Sequence, residues 1–211
     1  MLASSRARMF PLHKIVLVTL LLAPFASASD WDYQETHTES HDFAAGGTLH
    51  VRAHIGDLHI TRGKDPGQIH LRYTIKSKHE SALKNSKVEF EVHGRDARLE
   101  FNASRSGTQF DIELEVPEST SLEVHEKIGD LRIENIEGDK DLELGIGDIQ
   151  ITNENSRYRL VRASTGIGDV NSGGYGETSG WLGKTLKYHG DDGKYELRAH
   201  VGIGDIRLEG K

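Results

Sequence analysis

Cysteine is absent from the 211-residue sequence. Its absence excludes a disulfide framework, a thiolate nucleophile, a zinc site built on cysteine and a lipid-anchored N-terminal cysteine. Proline is scarce as well, with 4 residues against 23 glycines. Charged residues make up 28% of the chain and apolar residues 36%. This composition is typical of one ordinary globular domain and differs from that of a disordered chain or a membrane bundle.

The first segment has the features of a secretory signal peptide. Arg6, Arg8 and Lys14 precede an apolar run at 15–23, and Ala-Ser-Ala at 26–28 offers the small-x-small pattern that a signal peptidase cleaves. The alternative is an N-terminal membrane anchor. The run has about a dozen apolar residues, however, which is short of the roughly 20 that span a bilayer. The sequence therefore predicts a cleaved signal.

These features divide the chain into three parts. We predict a signal peptide at 1–28, an N-terminal extension at 29–42 and a single domain at 43–211. Cleavage removes three basic residues and no acid, which leaves 23 basic and 33 acidic residues and a net charge of −10. An acidic surface repels phosphate backbones, so nucleic acid is not an expected partner. The expected location is the bacterial periplasm or the cell exterior.

One triplet, Ile-Gly-Asp, recurs five times and sets the architecture that we expect. The intervals between the last four aspartates are 18, 21 and 36 residues, so the period is close to 18. The glycines and aspartates of the five triplets are Gly56, Asp57, Gly129, Asp130, Gly147, Asp148, Gly168, Asp169, Gly204 and Asp205.

Each triplet lies where an alternating apolar pattern slips by one residue. Leu49, Val51 and Ile55 share one face of the first repeat, whereas Leu58 and Ile60 follow with the opposite parity. Such a slip would turn the apolar side chains to solvent unless the backbone bends there. Glycine permits the bend, and the aspartate after it can bond to nearby amides. We interpret every Gly-Asp pair as a corner and expect the preceding isoleucine to face the core.

Stacked corners predict an all-β fold, a parallel β-solenoid with coils of about 18 residues. The N-terminal half alternates over longer runs, which indicates longer and partly antiparallel strands. No segment keeps a 3.6-residue apolar period, and 79–87 is the one stretch that resembles a short helix. The strands expected in this half lie at about 48–54, 68–77, 88–93, 98–103 and 110–116, with a hairpin turn at 94–96.

The run VPESTSLEVHEKIGDLRIENIEGDKDLELGIGDIQI and the later Gly-Asp turns resemble the bacterial "putative adhesin" or toast-rack family of β-strand-repeat domains. The signature is a small-Gly-Asp-aliphatic turn that recurs after a Val-Pro strand end, here Val116-Pro117. The resemblance covers about residues 43–211. It implies an envelope-associated protein with a β-solenoid-like body, in a family whose function is unknown. The insertion between Gly173 and Gly183 departs from the family pattern.

The aspartates of the corners are the first candidates for chemistry. Corners that stack in register place unit charges about 4.8 Å apart, so something must offset their repulsion. Backbone amides can do this, and so can calcium bound between successive corners, since repeated Gly/Asp turns hold calcium in other β-rolls. The sequence favours the amides and leaves calcium as an alternative.

Histidine is abundant, and His50, His54, His59 and His70 fall in one region. His50 and His54 share a strand face about 13 Å apart, too far to bind one zinc ion together. A cross-strand pair of His54 with His59 stays open. We interpret these histidines as surface residues and predict no metal site and no cofactor.

Evidence for catalysis is weak. Serine occurs in no nucleophile-elbow pattern. Some solenoid enzymes cleave acidic polysaccharides with carboxylates and basic residues on one coil face, and Asp148, Asp169 and Arg162 would take those roles here. Because the corners already explain these aspartates, we predict a protein that is not an enzyme.

The insertion is the candidate binding loop, because Tyr175 and Trp181 lie in a glycine-rich stretch where aromatic rings can stack on a saccharide or a protein. The alternative is that Trp181, Leu182 and Leu186 fold back over the core. The last strand, Asp205 to Leu208, ends near the C-terminus, so its edge should be open to self-association. Glu126 falls on an inward position of its strand, which indicates either fraying or a bulge.

Together these observations predict a secreted, non-enzymatic, adhesin-like binding or scaffolding module. Its expected partner is a protein or glycan of the cell envelope. A calcium-binding β-roll and a polysaccharide-active enzyme are the alternatives.

Overall fold

The computed structural model describes residues 31–103 and 107–210, so the predicted signal peptide lies outside the described residues. Within these ranges the chain forms sixteen strands, a short helix α1 (Glu80–Asn85) and a 3₁₀ turn (Asn155–Arg157). The strands are β1 (Tyr33–Asp42), β2 (Thr48–Arg62), β3 (Gln68–Ser77), β4 (Lys87–His93), β5 (Asp96–Asn102), β6 (Thr108–Val116), β7 (Ser121–Ile128), β8 (Leu131–Glu134), β9 (Lys140–Ile146), β10 (Ile149–Asn153), β11 (Tyr158–Ile167), β12 (Val170–Asn171), β13 (Thr178–Ser179), β14 (Thr185–His189), β15 (Tyr195–Ile203) and β16 (Ile206–Gly210).

The strands form two layers that face each other across one hydrophobic core. The first layer has the order β4-β5-β2-β7-β9-β15-β11-β14-β13, and the second has the order β1-β3-β6-β2-β8-β10-β16-β12. Strand β2 runs through both layers, so they belong to one mixed sheet. At its margins β1 and β4, the rings of His41 and Phe90 lie 4.4 Å apart. The sheet therefore resembles a flattened, nearly closed barrel.

The change of parity in β2 explains how one strand serves two layers. Leu49 and Val51 are buried before the first Gly-Asp pair, and Leu58 and Ile60 are buried after it. The first half of β2 pairs with β5 and β7, and the second half pairs with β6 and β8. Each half thus directs its apolar face to the same core. Two aromatic rings, of Phe101 in the first layer and Phe110 in the second, meet in this core at 5.3 Å.

The all-β prediction is confirmed, but a regular parallel solenoid with coils of about 18 residues is not. Strand pairs β1–β3, β3–β6, β4–β5, β11–β14 and β13–β14 are antiparallel. The parallel part also departs from chain order, because β15 lies between β9 and β11, and β16 lies between β10 and β12. In a solenoid each coil stacks on the preceding one. Here the last coil fills a gap between two earlier ones.

Most of the N-terminal strands and the short helix lie where the sequence predicts them, with small shifts at their ends. The strand expected at 48–54 is the exception, because it continues through the first Gly-Asp pair to Arg62 as β2. The segment at 29–42, which we placed outside the domain, contributes β1. This strand pairs with β3 along its full length, from Tyr33 opposite Ser77 to Asp42 opposite Gln68. Its residues are part of the fold because they supply the hydrogen bonds that the edge of β3 needs.

The position of the last coil corrects the expectation of an open terminal edge. Strands β15 and β16 have hydrogen-bonded neighbours on both sides, and Leu197, Val201, Ile206 and Leu208 are fully buried or nearly so. Self-association through an exposed terminal coil is therefore incompatible with this fold. The chain places its final strands in the middle of the layers, where they close a gap one coil wide.

The burial of the last coil predicts how much stability is lost when one of its core side chains is shortened. We expect Leu208→Ala to lower the free energy of unfolding by roughly 2–4 kcal/mol, as for a core leucine, because Leu208 is buried between two strands. Urea denaturation measures the effect. Leu182→Ala is the control, because Leu182 is 64% exposed and its loss should cost well under ~1 kcal/mol. Equal, small effects in both variants would indicate an open terminal coil.

Candidate functional site

The Gly-Asp corners connect the first layer to the second along one narrow edge of the molecule. Four of them interrupt the chain between strands, and the first, at Gly56, lies inside the unbroken strand β2. Gly147 and Gly204 show why glycine is required at the others. Their φ angles are 133° and 136°, and a Cβ atom at either position would lie within 2.0 Å of the carbonyl oxygen of the neighbouring corner glycine. Successive corners are therefore packed directly on each other.

The aspartates of the corners form a row that hydrogen-bonds from coil to coil. In each case a carboxylate oxygen accepts a bond from the main-chain N–H of the aspartate in the next coil, over 2.8 to 3.3 Å. We call these residues the aspartate row; in spatial order they are Asp57, Asp130, Asp148, Asp205 and Asp169. Asp148 and Asp169 are thus separated by Asp205.

These bonds assign the carboxylates to backbone amides. Each such bond involves a charged acceptor, and bonds of this kind are stronger than neutral ones. Within residues 31–103 and 107–210, no three histidine or acidic side chains are grouped as a metal ion requires. The geometry therefore favours the amide explanation of the aspartate row over calcium.

The isoleucines of the triplets differ from the expectation, because they are exposed. Ile128, Ile146, Ile203 and Ile167 are 45 to 55% exposed. They lie opposite one another in register, in that order, and Ile55 lies opposite Ile128. Their parity is inward as predicted, but they stand where the chain leaves one layer for the other. Beyond that point no strand among residues 31–103 and 107–210 covers them.

A residue of the insertion extends this line. The N–H of each corner glycine at 129, 147 and 204 donates to the carbonyl of the next isoleucine along the line, and the N–H of Gly168 donates to the carbonyl of Leu182 in the same way. Leu182 is therefore a sixth member. We call the six the corner ladder; in spatial order they are Ile55, Ile128, Ile146, Ile203, Ile167 and Leu182.

Trp181 precedes the last member of the ladder and is 90% exposed. Seven large apolar side chains are exposed in the part of the chain that the structure describes, and six of them belong to this edge. The seventh is Tyr33, on β1. Exposed apolar side chains scattered one by one are ordinary, whereas a contiguous line of them marks an interaction surface.

The two aromatic residues predicted as a binding loop have different environments. Tyr175 is buried, its hydroxyl accepts a hydrogen bond from Asn153 Nδ2 at 3.0 Å, and its ring contacts Tyr188. Tyr175 therefore cannot offer its ring to a ligand, and its role is to cover the core. Trp181 does not fold back over the core. Leu186, further along the insertion, is the residue that does so.

Glu126 lies in the core beside the aspartate row. Strand β7 continues without a bulge to Ile128, and Glu126 is opposite Ala53 and Leu144 in the neighbouring strands. Its side chain is 3% exposed, and neither carboxyl oxygen has a hydrogen-bond partner. Burial, followed by the charges of Asp57 and Asp130, raises the pKa of Glu126 to about 8. The carboxyl is therefore neutral over most of the physiological range.

The histidines are not brought together. His54 and His59 lie five residues apart on β2, in different layers, so they do not form the cross-strand pair. His50 contacts Glu123 and Asp96, and His59 contacts Glu134. His70 hydrogen-bonds to Ser40. These histidines are surface residues that contact carboxylates or a hydroxyl on outward faces, as the sequence indicates.

The residues proposed for polysaccharide cleavage do not converge either. Arg162 lies in mid-strand on β11, beside Arg198 and Lys187, and seven residues before Asp169. A second unusual group, Lys140, is not indicated by any sequence pattern. Burial lowers the pKa of this lysine to about 7, a property shared with catalytic lysines. Its ammonium is sealed in the core, however, where it donates to the carbonyl of Ile136 and to the hydroxyl of Tyr158.

Comparison with protein-family models finds no match, and neither does comparison with curated proteins. Solved structures do match. A "putative cell adhesion protein" from Clostridium sporogenes is 16% identical, with 84% of this chain and 100% of that chain covered and a TM-score of 0.51. A "putative adhesin" from Bacteroides fragilis is 11% identical, with 82% and 97% covered and a TM-score of 0.27.

A "putative adhesin" from Parabacteroides merdae is 8% identical, with 82% and 80% covered and a TM-score of 0.28. At these identities the similarity concerns the fold, and it rests on the Clostridium protein. The name of the Clostridium protein agrees with the adhesin-type family that the sequence resembles. The helices among the described residues are too short to cross a membrane.

The aspartate row yields a test that separates amide bonding from calcium binding. We expect Asp148→Ala to lower the free energy of unfolding by about 1 kcal/mol, because the N–H of Asp205 loses its acceptor. Asp148→Asn keeps an oxygen at the same place and should be close to neutral. Thermal melts with calcium and with a chelator should coincide for all three proteins. A midpoint that rises with calcium in the wild type alone would favour the β-roll alternative.

Glu126 gives the fold a defined pH dependence. The folded-state pKa of about 8 lies above the unfolded value near 4.5, so the unfolded state loses its proton first as the pH rises. Stability due to this group is therefore complete below about pH 4.5 and declines up to pH 8. Glu126→Gln should match the wild type near pH 4 and exceed it increasingly above, by about 1.4 kcal/mol per pH unit. Urea denaturation between pH 4 and 8.5 measures the difference, and a constant difference would refute the assignment.

Proposed function

We propose that this chain is a non-enzymatic, adhesin-like binding module of the bacterial cell envelope, which acts in the periplasm or outside the cell. The observation that carries the proposal is the corner ladder. A line of partly exposed aliphatic side chains, with Trp181 at its end, occupies one edge of a fold whose other large apolar side chains are mostly buried. Exposure of such a surface to water is unfavourable. Its burial against an apolar partner lowers the free energy of the system.

The rigidity of the edge supports a binding role. Main-chain bonds join every corner to the next, and the carboxylates of the aspartate row add a second set of bonds. A ladder fixed in this way loses little conformational entropy when a partner binds. The similarity in fold to a protein of the adhesion type points in the same direction.

A protein partner suits the ladder better than a glycan. Saccharide sites need polar groups that converge on hydroxyls, together with an aromatic face. The ladder offers aliphatic side chains along its length, and Trp181 is the one exposed aromatic ring beside it. A glycan partner is therefore supported by one side chain, that of Trp181. An apolar protein surface can cover all six side chains of the corner ladder, which we call its rungs.

The test is saturable binding of the fluorescently labelled protein to envelope preparations of the source bacterium. Binding should fall at least tenfold in the double variant Ile146→Ser with Ile203→Ser, and less in Trp181→Ala. Tyr33→Ser is the matched control, because Tyr33 is exposed and apolar but lies on β1, the third strand from β2 and outside the corner ladder. Protease treatment of the envelope should abolish binding, whereas periodate oxidation of glycans should not. Equal binding by the wild type and the double variant would overturn the proposal.

A further inference from the structure

The aspartate row runs alongside the corner ladder, two residues later in each coil. Five carboxylates therefore flank the apolar line on the side of the second layer. In spatial order their spacing is that of adjacent parallel strands, about 4.8 Å. The carboxylates of Asp57, Asp130, Asp148 and Asp205 each accept a bond from the amide of the next corner, and Asp169 ends the row. All five aspartates are exposed or partly exposed. The apolar line thus has an acidic border.

Basic residues offset only part of this border, with Lys76 acting on Asp57 at one end of the row. Arg132 and Arg207 lie one row further into the second layer, beside a groove of about 310 Å³ that also contacts Asp130, Asp148 and Asp205. Arg132 is paired with Glu134. Arg207 is therefore the remaining basic residue of the groove, which three carboxylates of the aspartate row also line. A partner that covers the ladder must therefore bring positive charge to this side, because buried or half-buried carboxylates without a partner are costly.

On the side of the first layer, three positions next to the ladder are glycines and carry no side chain. Gly145, Gly202 and Gly166 lie opposite one another in the first layer, immediately before three of the ladder isoleucines. They present backbone where other residues would present side chains. A depression of about 380 Å³ adjoins this strip and is lined by Gly145, Lys127, His54 and their neighbours. The strip therefore leaves the ladder accessible from the side of the first layer.

The spacing of the rungs selects the kind of partner. Six rungs about 4.8 Å apart extend over ~24 Å. An α-helix laid along them repeats its contacting face every ~5.4 Å, close to the rung spacing, and covers the ladder with about 16 residues. An extended strand laid the same way repeats its face every ~6.8 Å and falls out of step after two rungs. The match therefore favours a helix.

We infer that the corner ladder receives a basic amphipathic α-helix of a partner protein, with its apolar stripe along the six aliphatic rungs and its lysine or arginine residues over the aspartate row. This inference rests on the proposed function and names the partner chemistry of the same surface. It is a helix-in-groove mode of recognition, in which the apolar rungs supply affinity and the carboxylates set orientation and partner choice.

A synthetic 16-residue peptide tests the inference. The probe has leucines on one helical face and lysines elsewhere, and its counterpart carries glutamate in place of every lysine. The lysine peptide should bind the protein by fluorescence anisotropy, become helical on binding by circular dichroism and bind more weakly as salt rises. The glutamate peptide should bind at least tenfold more weakly. Equal affinity for both peptides would contradict the role of the aspartate row.

Variants of the protein locate the contact. Asp148→Asn with Asp205→Asn removes two charges but keeps both oxygens that accept amide bonds, so the fold is preserved and affinity for the lysine peptide should fall at least fivefold. Ile146→Ser with Ile203→Ser should reduce it tenfold or more. Glu89→Gln with Glu91→Gln is the matched control for charge, because these exposed acids lie on β4 at the far margin of the first layer. The same loss in this control would refute the site.

Two further outcomes separate the inference from the proposed function. In the first, envelope binding depends on the ladder isoleucines while peptide binding does not depend on the aspartates. That result would support the proposed binding function and contradict the inference of a basic helical partner. If sedimentation shows a dimer of the protein that the isoleucine variant dissociates, the occupant is a second copy and the basic helix is again wrong.

Discussion

The hydrogen bond between an aspartate carboxylate of one corner and the main-chain N–H of the next is the interaction on which the rest of the structure depends. Each such bond contributes only about 1 kcal/mol to stability. Its larger effect is positional, because four bonds in succession fix five coils in one register. The same register aligns the isoleucines that precede each glycine. The hydrogen bonds that stabilise the corners therefore also align the apolar side chains of the corner ladder.

The sequence predicts the local features well, because they depend on neighbouring residues. The one-residue slip of the apolar pattern locates the corners. The fraying or bulge expected at Glu126 is wrong, because β7 runs in regular register to Ile128 and keeps this inward residue in the core. The sequence does not predict the order of the coils. The interval of 36 residues from Asp169 to Asp205 contains the hairpin of β13 and β14, and no local pattern indicates that the last coil returns to pair with β9.

The exposure of the ladder isoleucines and the burial of Tyr175 were missed for a related reason. Alternation tells which face of a strand a residue occupies, but not whether another layer covers that face at the end of the strand. At the corners none of the described elements covers that face, so an inward isoleucine is exposed to solvent. At Tyr175 the glycine-rich insertion folds against Tyr188, so an aromatic residue in a loop becomes part of the core. Both outcomes depend on tertiary contacts between distant segments.

The stacking order of the corners can be measured directly by disulfide cross-linking, which the absence of native cysteine makes unambiguous. Ile146 and Ile203 are neighbours in register, within the ~4.4–6.8 Å between Cα atoms that a disulfide spans, whereas Ile146 and Ile167 are two strands apart at ~9.6 Å. The account predicts rapid oxidation of the Ile146→Cys, Ile203→Cys protein and none of the Ile146→Cys, Ile167→Cys protein. Cross-linking of the second pair in preference to the first would contradict it.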